Sequence, residues 1–371
     1  TIMLVALWLR IPAMRQLPYD IDERVYYPLA QRYAAALENG DFATLGNPFD
    51  NLEHPALAKL LYGVALALPS DAAPQNAPGF EDTSGVQPTG LQTARMVAML
   101  ASVVIAGLLA WYSPVAGLFF ALSSWQIKYG VVTYLESVPS LLVTAAMLML
   151  ARWWRTTSNQ SLTRQHWIQI GVIGGLVGMA AAAKYPYAII AAPVVLGFML
   201  ARWKQVRWRG AMLACATIIL GFYVFNPFMW QHPLGYIQQT VQFHLRYRQN
   251  ALVQSQNFTP WYNLALLFKP MPYDPFFPFS LFNQLKIEGV LTMLGFVGLP
   301  FLWRRSPPLG AWLMIAILFL LAWGTKWAHY TALVIPPLAL SGGVLVEMMV
   351  RWTLKRTKNI EHNLFLHSSF S

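Results

Sequence analysis

The chain has 371 residues, of which 56% are hydrophobic and only 11% charged, and its formal net charge is +11. Soluble proteins carry about 25% charged residues, so this composition indicates an integral membrane protein. The basic residues lie at the ends of apolar runs rather than over one soluble face, which excludes a nucleic-acid-binding protein. The one cysteine, Cys215, excludes an intrachain disulfide and a cysteine-based metal site.

Apolar runs predict an all-α polytopic membrane protein with about ten transmembrane helices. Residues 1–10 are apolar but too few for a hydrocarbon core, which takes about 20 residues, so we expect a truncated first span. A polar segment of about 11–90 follows. The nine later predicted spans are 91–111, 114–131, 134–151, 167–184, 186–201, 210–229, 287–303, 309–325 and 329–350. We expect 1–371 to form a single transmembrane domain.

The charge distribution predicts the orientation in the membrane. Thirteen of the 26 basic residues lie in the connections 152–166, 202–209 and 304–305 and in the tail segment 351–358, none of which contains an acid. Ten of the 15 acids lie between Asp20 and Asp82. Because lysine and arginine are enriched on the cytoplasmic side, we predict that the acidic segment is extracytoplasmic and the tail 351–371 cytoplasmic. The chain would then reside in the cytoplasmic membrane.

Two outer loops are large, at about 11–90 and 230–286. The first has apolar residues at helical spacing over Ile21 to Leu37 and a second short apolar segment over Pro55 to Leu68. Both predict helices that lie in the membrane interface. The proline- and glycine-rich stretch from Pro69 to Gly90 predicts a mobile loop. Aromatic residues and prolines in the second loop suit packing against sugar rings or lipid headgroups.

Asp22 and Glu23 are the first candidates for chemistry. One interpretation makes them acids that stabilise the first turn of a helix. The other makes a carboxylate the general base that deprotonates an acceptor hydroxyl or amine. A transfer from a lipid-phosphate sugar needs one such base, since the leaving group is already a phosphate. Asp20-Ile-Asp22 also has the spacing of metal–nucleotide-sugar sites, but a nucleotide donor does not suit the outer face.

Cationic side chains or a divalent metal could stabilise the developing phosphate charge. Lys184, Lys326, His329 and Tyr330 lie at predicted outer ends of spans, and Arg95, Arg246 and Arg248 are less constrained candidates. Lys184 could instead reach the lipid headgroups.

Three further residues each have two possible roles. Glu53 and His54 precede a proline that starts the second interfacial helix, so they either cap that helix or line a substrate site. Glu136 either pairs with a residue of another helix or lines the same substrate site.

Several segments together resemble the C-type-fold membrane glycosyltransferases. The closest likeness is to the dolichyl-phosphate-mannose protein mannosyltransferases and their bacterial relatives, including the lipid A aminoarabinose transferases. The segments are Asp22-Glu-x-x-Tyr26 with Ala30 and Gly40-Asp41, Glu53-His-Pro-x-Leu-Ala-Lys-Leu-Leu61, Tyr134-Leu-Glu-Ser-Val-Pro139, Gly174-Gly-Leu-Val-Gly-x5-Lys184-Tyr and Lys326-x-x-His-Tyr330-x5-Pro336-Pro. The likeness runs from residue 20 to about residue 345.

The resemblance implies a polyprenyl- or dolichyl-phosphate sugar donor, inversion at the anomeric carbon and Asp22 as the base, supported by Glu23. The cationic groups would hold the lipid phosphate, and no metal is expected at the base, although a divalent metal stays open. Ala56 stands where the family often has a second proline. Residues 1–371 show neither the large soluble outer domain of the oligosaccharyltransferases nor the inserted luminal domain of the eukaryotic protein mannosyltransferases. The acceptor therefore stays open between a protein, a lipid and a glycan.

Two other functions fit a membrane chain of this kind. A transporter or flippase of lipid-linked saccharides would carry ionisable residues near the middle of its spans, whereas these spans have their charges at their ends. A non-catalytic scaffold would only solvate its outer acids. We therefore expect that the chain is a glycosyltransferase rather than a transporter, a flippase or a scaffold.

Overall fold

The computed structural model describes residues 1–47, 50–68, 87–157, 162–271 and 287–368, without the side chains of 203, 205, 207 and 358–368. This part of the chain is helical with no strand, which confirms the all-α prediction. Most of the predicted mobile loop, residues 69–86, lies outside the described residues. Residues 272–286 of the second outer loop also lie outside them.

The described part of the chain contains the following helices. They are α1 (Ile2–Gln16), α2 (Glu23–Glu38), α3 (Phe42–Leu45), α4 (Leu57–Ala67), α5 (Leu91–Tyr112), α6 (Pro114–Leu122), α7 (Ser124–Tyr129), α8 (Ser137–Thr156), α9 (Arg164–Ala183), α10 (Tyr185–Ala201), α11 (Trp203–Val224), α12 (Pro233–Tyr247), α13 (Ala251–Ser255), α14 (Tyr262–Leu267), α15 (Glu288–Arg305), α16 (Pro307–Ala322) and α17 (Ile335–Ser368), with 3₁₀ turns at Pro227–Met229 and Ala328–Leu333.

Among the described residues, three helices are long and apolar enough to cross a membrane by length and composition: α5, α8 and α9. Helices α10 and α16 and the 208–224 part of α11 are apolar but shorter. Both predicted interfacial helices are present as α2 and α4, within two residues of the expected ends, and they pack on each other.

The predicted span 114–131 is not one helix, because α6 ends at Leu122 and α7 starts after an extended Ser123. Arg10, fully buried on α1, donates to the carbonyl of Ala121 at 3.1 Å and to Ser102 Oγ at 2.8 Å. The carboxylate of Glu288 accepts from the backbone and the hydroxyl of Ser124, at 2.7 and 2.6 Å. These polar contacts replace the backbone hydrogen bonds that the break removes.

Two predicted ends also differ. Helix α1 continues past residue 10 to Gln16 and stops at Leu17, which is extended because it precedes Pro18. Helix α17 continues beyond residue 350 into the predicted tail, because no proline or glycine interrupts 351–368.

Close helix crossings hold the bundle together. Gly178 of α9 lies against the carbonyl of Ile218 on α11, where a β-carbon would overlap the backbone. In a second crossing, Ser341 of α17 donates to the carbonyl of Gly295 on α15 at 2.6 Å. One apolar core runs from α1 to α17. An ion pair between Glu136, which precedes α8, and Lys184, which follows α9, brings those two helix ends together.

Candidate active site

A buried ion pair anchors the first turn of α2. Glu23 and Arg95 of α5 both have side chains without exposed surface, and Arg95 Nε donates to Glu23 Oε1 at 2.8 Å. The same oxygen accepts from the backbone of Thr133 at 2.6 Å, and the other accepts from the backbone of Asp20 at 3.1 Å. The carboxylate of Glu23 is thus fully occupied, which suits a supporting residue better than a proton acceptor.

Asp22, the neighbouring residue, faces another way. It stands at the N-cap of α2, yet its carboxylate makes no capping hydrogen bond. Its Oδ2 lies 3.7 Å from His329 Nδ1, and its side chain is 33% exposed. This arrangement disfavours the helix-capping interpretation and leaves an accessible carboxylate.

Glu136 and Lys184 form a second buried pair. Glu136 precedes α8, and Lys184 is the single extended residue between α9 and α10. Their side chains are 3% and 2% exposed, and the ammonium donates to Glu136 Oε1. Glu136 is therefore an interhelical partner in this structure, and its role as a wall residue of the substrate site stays a prediction. Lys184 is buried and does not reach the headgroups.

His329 lies between the carboxylates of Asp22 and Glu136, and Tyr330 is its neighbour. They lie on the 3₁₀ turn that precedes α17. His329 Nε2 is 3.9 Å from Glu136 Oε1, and the Lys184 ammonium lies 5.4 Å from the centre of the Tyr330 ring. Asp22, His329, Glu136, Lys184 and Tyr330 therefore form one cluster.

The environment adjusts Asp22 for proton transfer near neutral pH. Burial raises the pKa of Asp22 to about 7. The carboxylates of Glu136, Asp20 and Glu53 raise it as well, and the Lys184 ammonium opposes them. A carboxylate with a pKa near the working pH is well suited to general-base catalysis.

The loop before α4 brings Glu53 and His54 to the same end of the bundle. Lys59, itself buried, donates to the carbonyl of His54 at 2.7 Å and to Asn51 Oδ1 at 2.8 Å, which fixes the loop. Burial, with the ammonium groups of Lys184 and Lys59, lowers the pKa of His54 well below its usual range. The imidazole is therefore neutral, and its 3.8 Å approach to Glu53 is not an ion pair.

Asp20 does not join a metal site. It pairs with Lys128 at 2.8 Å and accepts a hydrogen bond from the hydroxyl of Tyr134. Within the described part of the chain, no group of three or more His, Cys, Asp and Glu side chains could hold a metal ion.

A cavity of about 670 Å³ opens beside this cluster. Most of its lining is apolar and comes from α10, α11, α12 and the end of α16; it includes Ile189, Ile218, Phe222, Val241, Leu245 and Trp323. The polar lining residues, which we call the polar end, are Glu53, His54, His244, Tyr247, Arg248 and Tyr330. Asp22 is not in the wall, but it interacts electrostatically with Glu53, and His329 joins it to Tyr330 through rings 4.6 Å apart.

The basic side chains that line the cavity differ from those that the sequence predicted to bind the phosphate. The Lys326 ammonium donates to the carbonyls of Leu320 and Leu321, the last turn of α16, rather than into the cavity. Arg248, which the sequence left unplaced, lines the cavity, and its guanidinium has no hydrogen-bond or ion-pair partner among the described residues. His244 also lines it; the pattern His-x-x-x-Arg on an amphipathic helix was the available signal.

The fold is similar to that of ArnT from Cupriavidus metallidurans. The apo crystal structure matches with a TM-score of 0.61 and 14% identity, covering 93% of this chain and 59% of that chain. The structure bound to undecaprenyl phosphate matches with a TM-score of 0.59 and 16% identity, covering 93% and 58%. This chain therefore spans less than two thirds of those proteins.

A third likeness is weaker. The oligosaccharyltransferase AglB from Archaeoglobus fulgidus, in complex with an inhibitory peptide and a dolichol-phosphate, gives a TM-score of 0.41 at 14% identity. This match covers 83% of this chain and 44% of that one, and we draw no conclusion from it about the present protein. No protein-family model and no curated protein sequence matches the chain.

The two neighbouring acids should differ in their effect on stability. Glu23→Ala leaves Arg95 buried without its partner, so we expect the free energy of unfolding to fall by about 3–5 kcal/mol. Asp22→Asn should leave stability unchanged or slightly higher at pH 8, because a raised pKa means that ionisation of Asp22 opposes folding. Thermal unfolding of both variants in detergent measures this, and equal losses would contradict the division of roles.

Proposed function

We propose that this chain, which has the fold of the C-type glycosyltransferases, is an inverting glycosyltransferase with a polyprenyl- or dolichyl-phosphate sugar donor. One observation carries the proposal: an accessible carboxylate with a raised pKa interacts electrostatically with Glu53, a polar lining residue of a cavity that is otherwise mostly apolar. The apolar part fits a lipid chain, the polar end fits a phosphate and a sugar, and Asp22 fits a base.

The donor would lie with its lipid chain between α10, α11 and α12. Arg248 is the side chain best placed for its phosphate, because its guanidinium is free within the described residues and lines the polar end. Tyr330 and His329 would also contact the phosphate or the sugar. Lys184, whose ammonium lies 5.4 Å from the centre of the Tyr330 ring, would add positive charge near the phosphate. Lys326 stays a predicted phosphate ligand, although its ammonium caps α16. ArnT, whose fold is similar, has been crystallised with undecaprenyl phosphate, which supports a lipid phosphate here.

The proposed reaction is a single displacement. The acceptor's hydroxyl or amine attacks the anomeric carbon, the bond from that carbon to the phosphate oxygen breaks, and Asp22 takes the acceptor's proton. The products are the glycosylated acceptor and the lipid phosphate. Glu23 would keep Asp22 in place through Arg95, while Glu53, His54 and Glu136 would form the wall beside the sugar. We propose no metal for this step.

We place the reaction at the extracytoplasmic membrane face, with the C-terminus in the cytoplasm. The arrangement of basic connections and acidic outer loop supports this orientation. The proposed partners are the lipid-linked sugar, the surrounding membrane lipids and a protein, lipid or glycan acceptor.

Asp22→Asn should abolish sugar transfer without loss of folding. General-base catalysis contributes typically about 10²- to 10⁴-fold, so we expect a loss of this size. The measurement is transfer of radiolabelled sugar from polyprenyl-phosphate donors in reconstituted vesicles, with Glu38→Gln, an exposed acid of α2, as the matched control. Undiminished transfer by Asp22→Asn would rule out this base. Movement of the intact donor across the vesicle membrane, without transfer, would instead favour the flippase.

The pH profile should report the raised pKa of Asp22. Because the base acts ionised, kcat/KM should rise with pH through about 7 and then level off. Glu136→Gln removes a carboxylate that opposes ionisation, so it should move the midpoint to lower pH. Rates measured on both sides of neutrality test this, and a wild-type midpoint near about 3.9, the ordinary aspartate value, would contradict it.

A further inference from the structure

Helix α12 carries a second cavity on its other face. This cavity of about 480 Å³ is lined by Leu52, Phe243 and Tyr247 and by polar residues of one helical stripe and the turn after it. The polar set is Gln239, Gln242, Arg246, Gln249 and Asn250. Its volume falls in the range of about 300–1,000 Å³ that ligand sites occupy.

The stripe has helical spacing and a consistent chemistry. Gln239, Gln242 and Arg246 follow one another at intervals of three or four residues, which places them on one side of α12, and Gln249 lies in the turn after the helix. The side chains of the three glutamines make no hydrogen bond within the described part of the chain. Since a primary amide offers two donors and an acceptor that takes two hydrogen bonds, the stripe presents both functions repeatedly.

Aromatic rings lie in the middle of this polar surface. Phe243 and Tyr247 are half-buried and stacked, with ring centres 5.9 Å apart and planes 12° from parallel. The lining contains no acid and only one cation, Arg246. One arginine is a weak site for a multiply charged ligand, and the amides exclude a lipid chain, because unpaired polar groups are costly next to hydrocarbon.

A neutral saccharide matches this combination. Its hydroxyl groups both donate and accept hydrogen bonds along the ring edge, while the C–H face of the ring is apolar and packs on an aromatic side chain. We propose that the α12 amide pocket, formed by these eight residues, binds a neutral saccharide.

The position of the pocket gives the saccharide a role. Tyr247 lines both the amide pocket and the apolar cavity, and Leu52 of the amide pocket directly precedes Glu53 of the apolar cavity. Helix α12 thus separates a lipid-binding face from a sugar-binding face that meet next to Glu53. The bound saccharide is the glycan acceptor, with its outer hydroxyl directed towards Asp22. This role rests on the proposed function, whereas saccharide binding itself does not.

The test is direct binding without any donor. The full chain in lipid nanodiscs, which avoid sugar-headed detergents, is titrated with neutral di- and trisaccharides of glucose, mannose, galactose and N-acetylglucosamine and followed by saturation-transfer NMR. At least one should bind, and the double variant Gln239→Ala/Gln242→Ala should weaken it by about fivefold or more through lost hydrogen bonds. Gln238→Ala, exposed on the same helix but in neither cavity wall, should stay within about twofold.

Several results would overturn the proposal. They are the absence of binding by every saccharide, equal binding by the double variant and wild type, equal loss in the Gln238→Ala control, or glutamine-dependent binding of a serine- and threonine-rich peptide in place of a saccharide. If saccharide binding follows the prediction while no sugar is transferred, the pocket stands and the proposed function fails; the two failures are therefore distinguishable.

Discussion

The buried ion pair between Glu23 and Arg95 is the constraint on which the site depends. A charge pair without exposed surface is costly unless every oxygen is satisfied, and here both oxygens of Glu23 also accept backbone hydrogen bonds. These bonds come from Thr133 and from Asp20, so one side chain joins the start of α2, the segment before α8 and helix α5. The first turn of α2 has little freedom, and Asp22 is held facing His329.

The same constraint separates the roles of two adjacent acids. Glu23 is occupied by partners and buried, whereas Asp22 has no capping bond and a third of its side chain is open. Burial raises the pKa of Asp22 to about 7, and the second buried pair acts on this pKa in opposite directions: the Lys184 ammonium lowers it and the Glu136 carboxylate raises it. One pair thus positions Asp22, and the other adds opposed charges to its surroundings.

Much of this could be predicted from the sequence, for identifiable reasons. Hydrophobic runs and the amphipathic spacing of α2 and α4 are local properties, so those helices were predicted to within a few residues. The break at Ser123 depends on Arg10 and Glu288, which are distant in sequence, and periodicity alone could not show it. The roles within Asp22-Glu23, the capping position of Lys326 and the cavity position of Arg248 likewise depend on tertiary contacts. Only the fold shows that α12 has a cavity on each side.

We propose that the polar end of the apolar cavity holds a lipid phosphate. The most direct measurement is the affinity for undecaprenyl phosphate in nanodiscs, comparing Arg248→Gln with Arg246→Gln. The two arginines are two residues apart but line different cavities. We predict that Arg248→Gln weakens binding roughly tenfold or more, because a charge-assisted hydrogen bond is lost, and that Arg246→Gln leaves it unchanged. Equal affinities for wild type and Arg248→Gln, or an equal loss in both variants, would contradict the account.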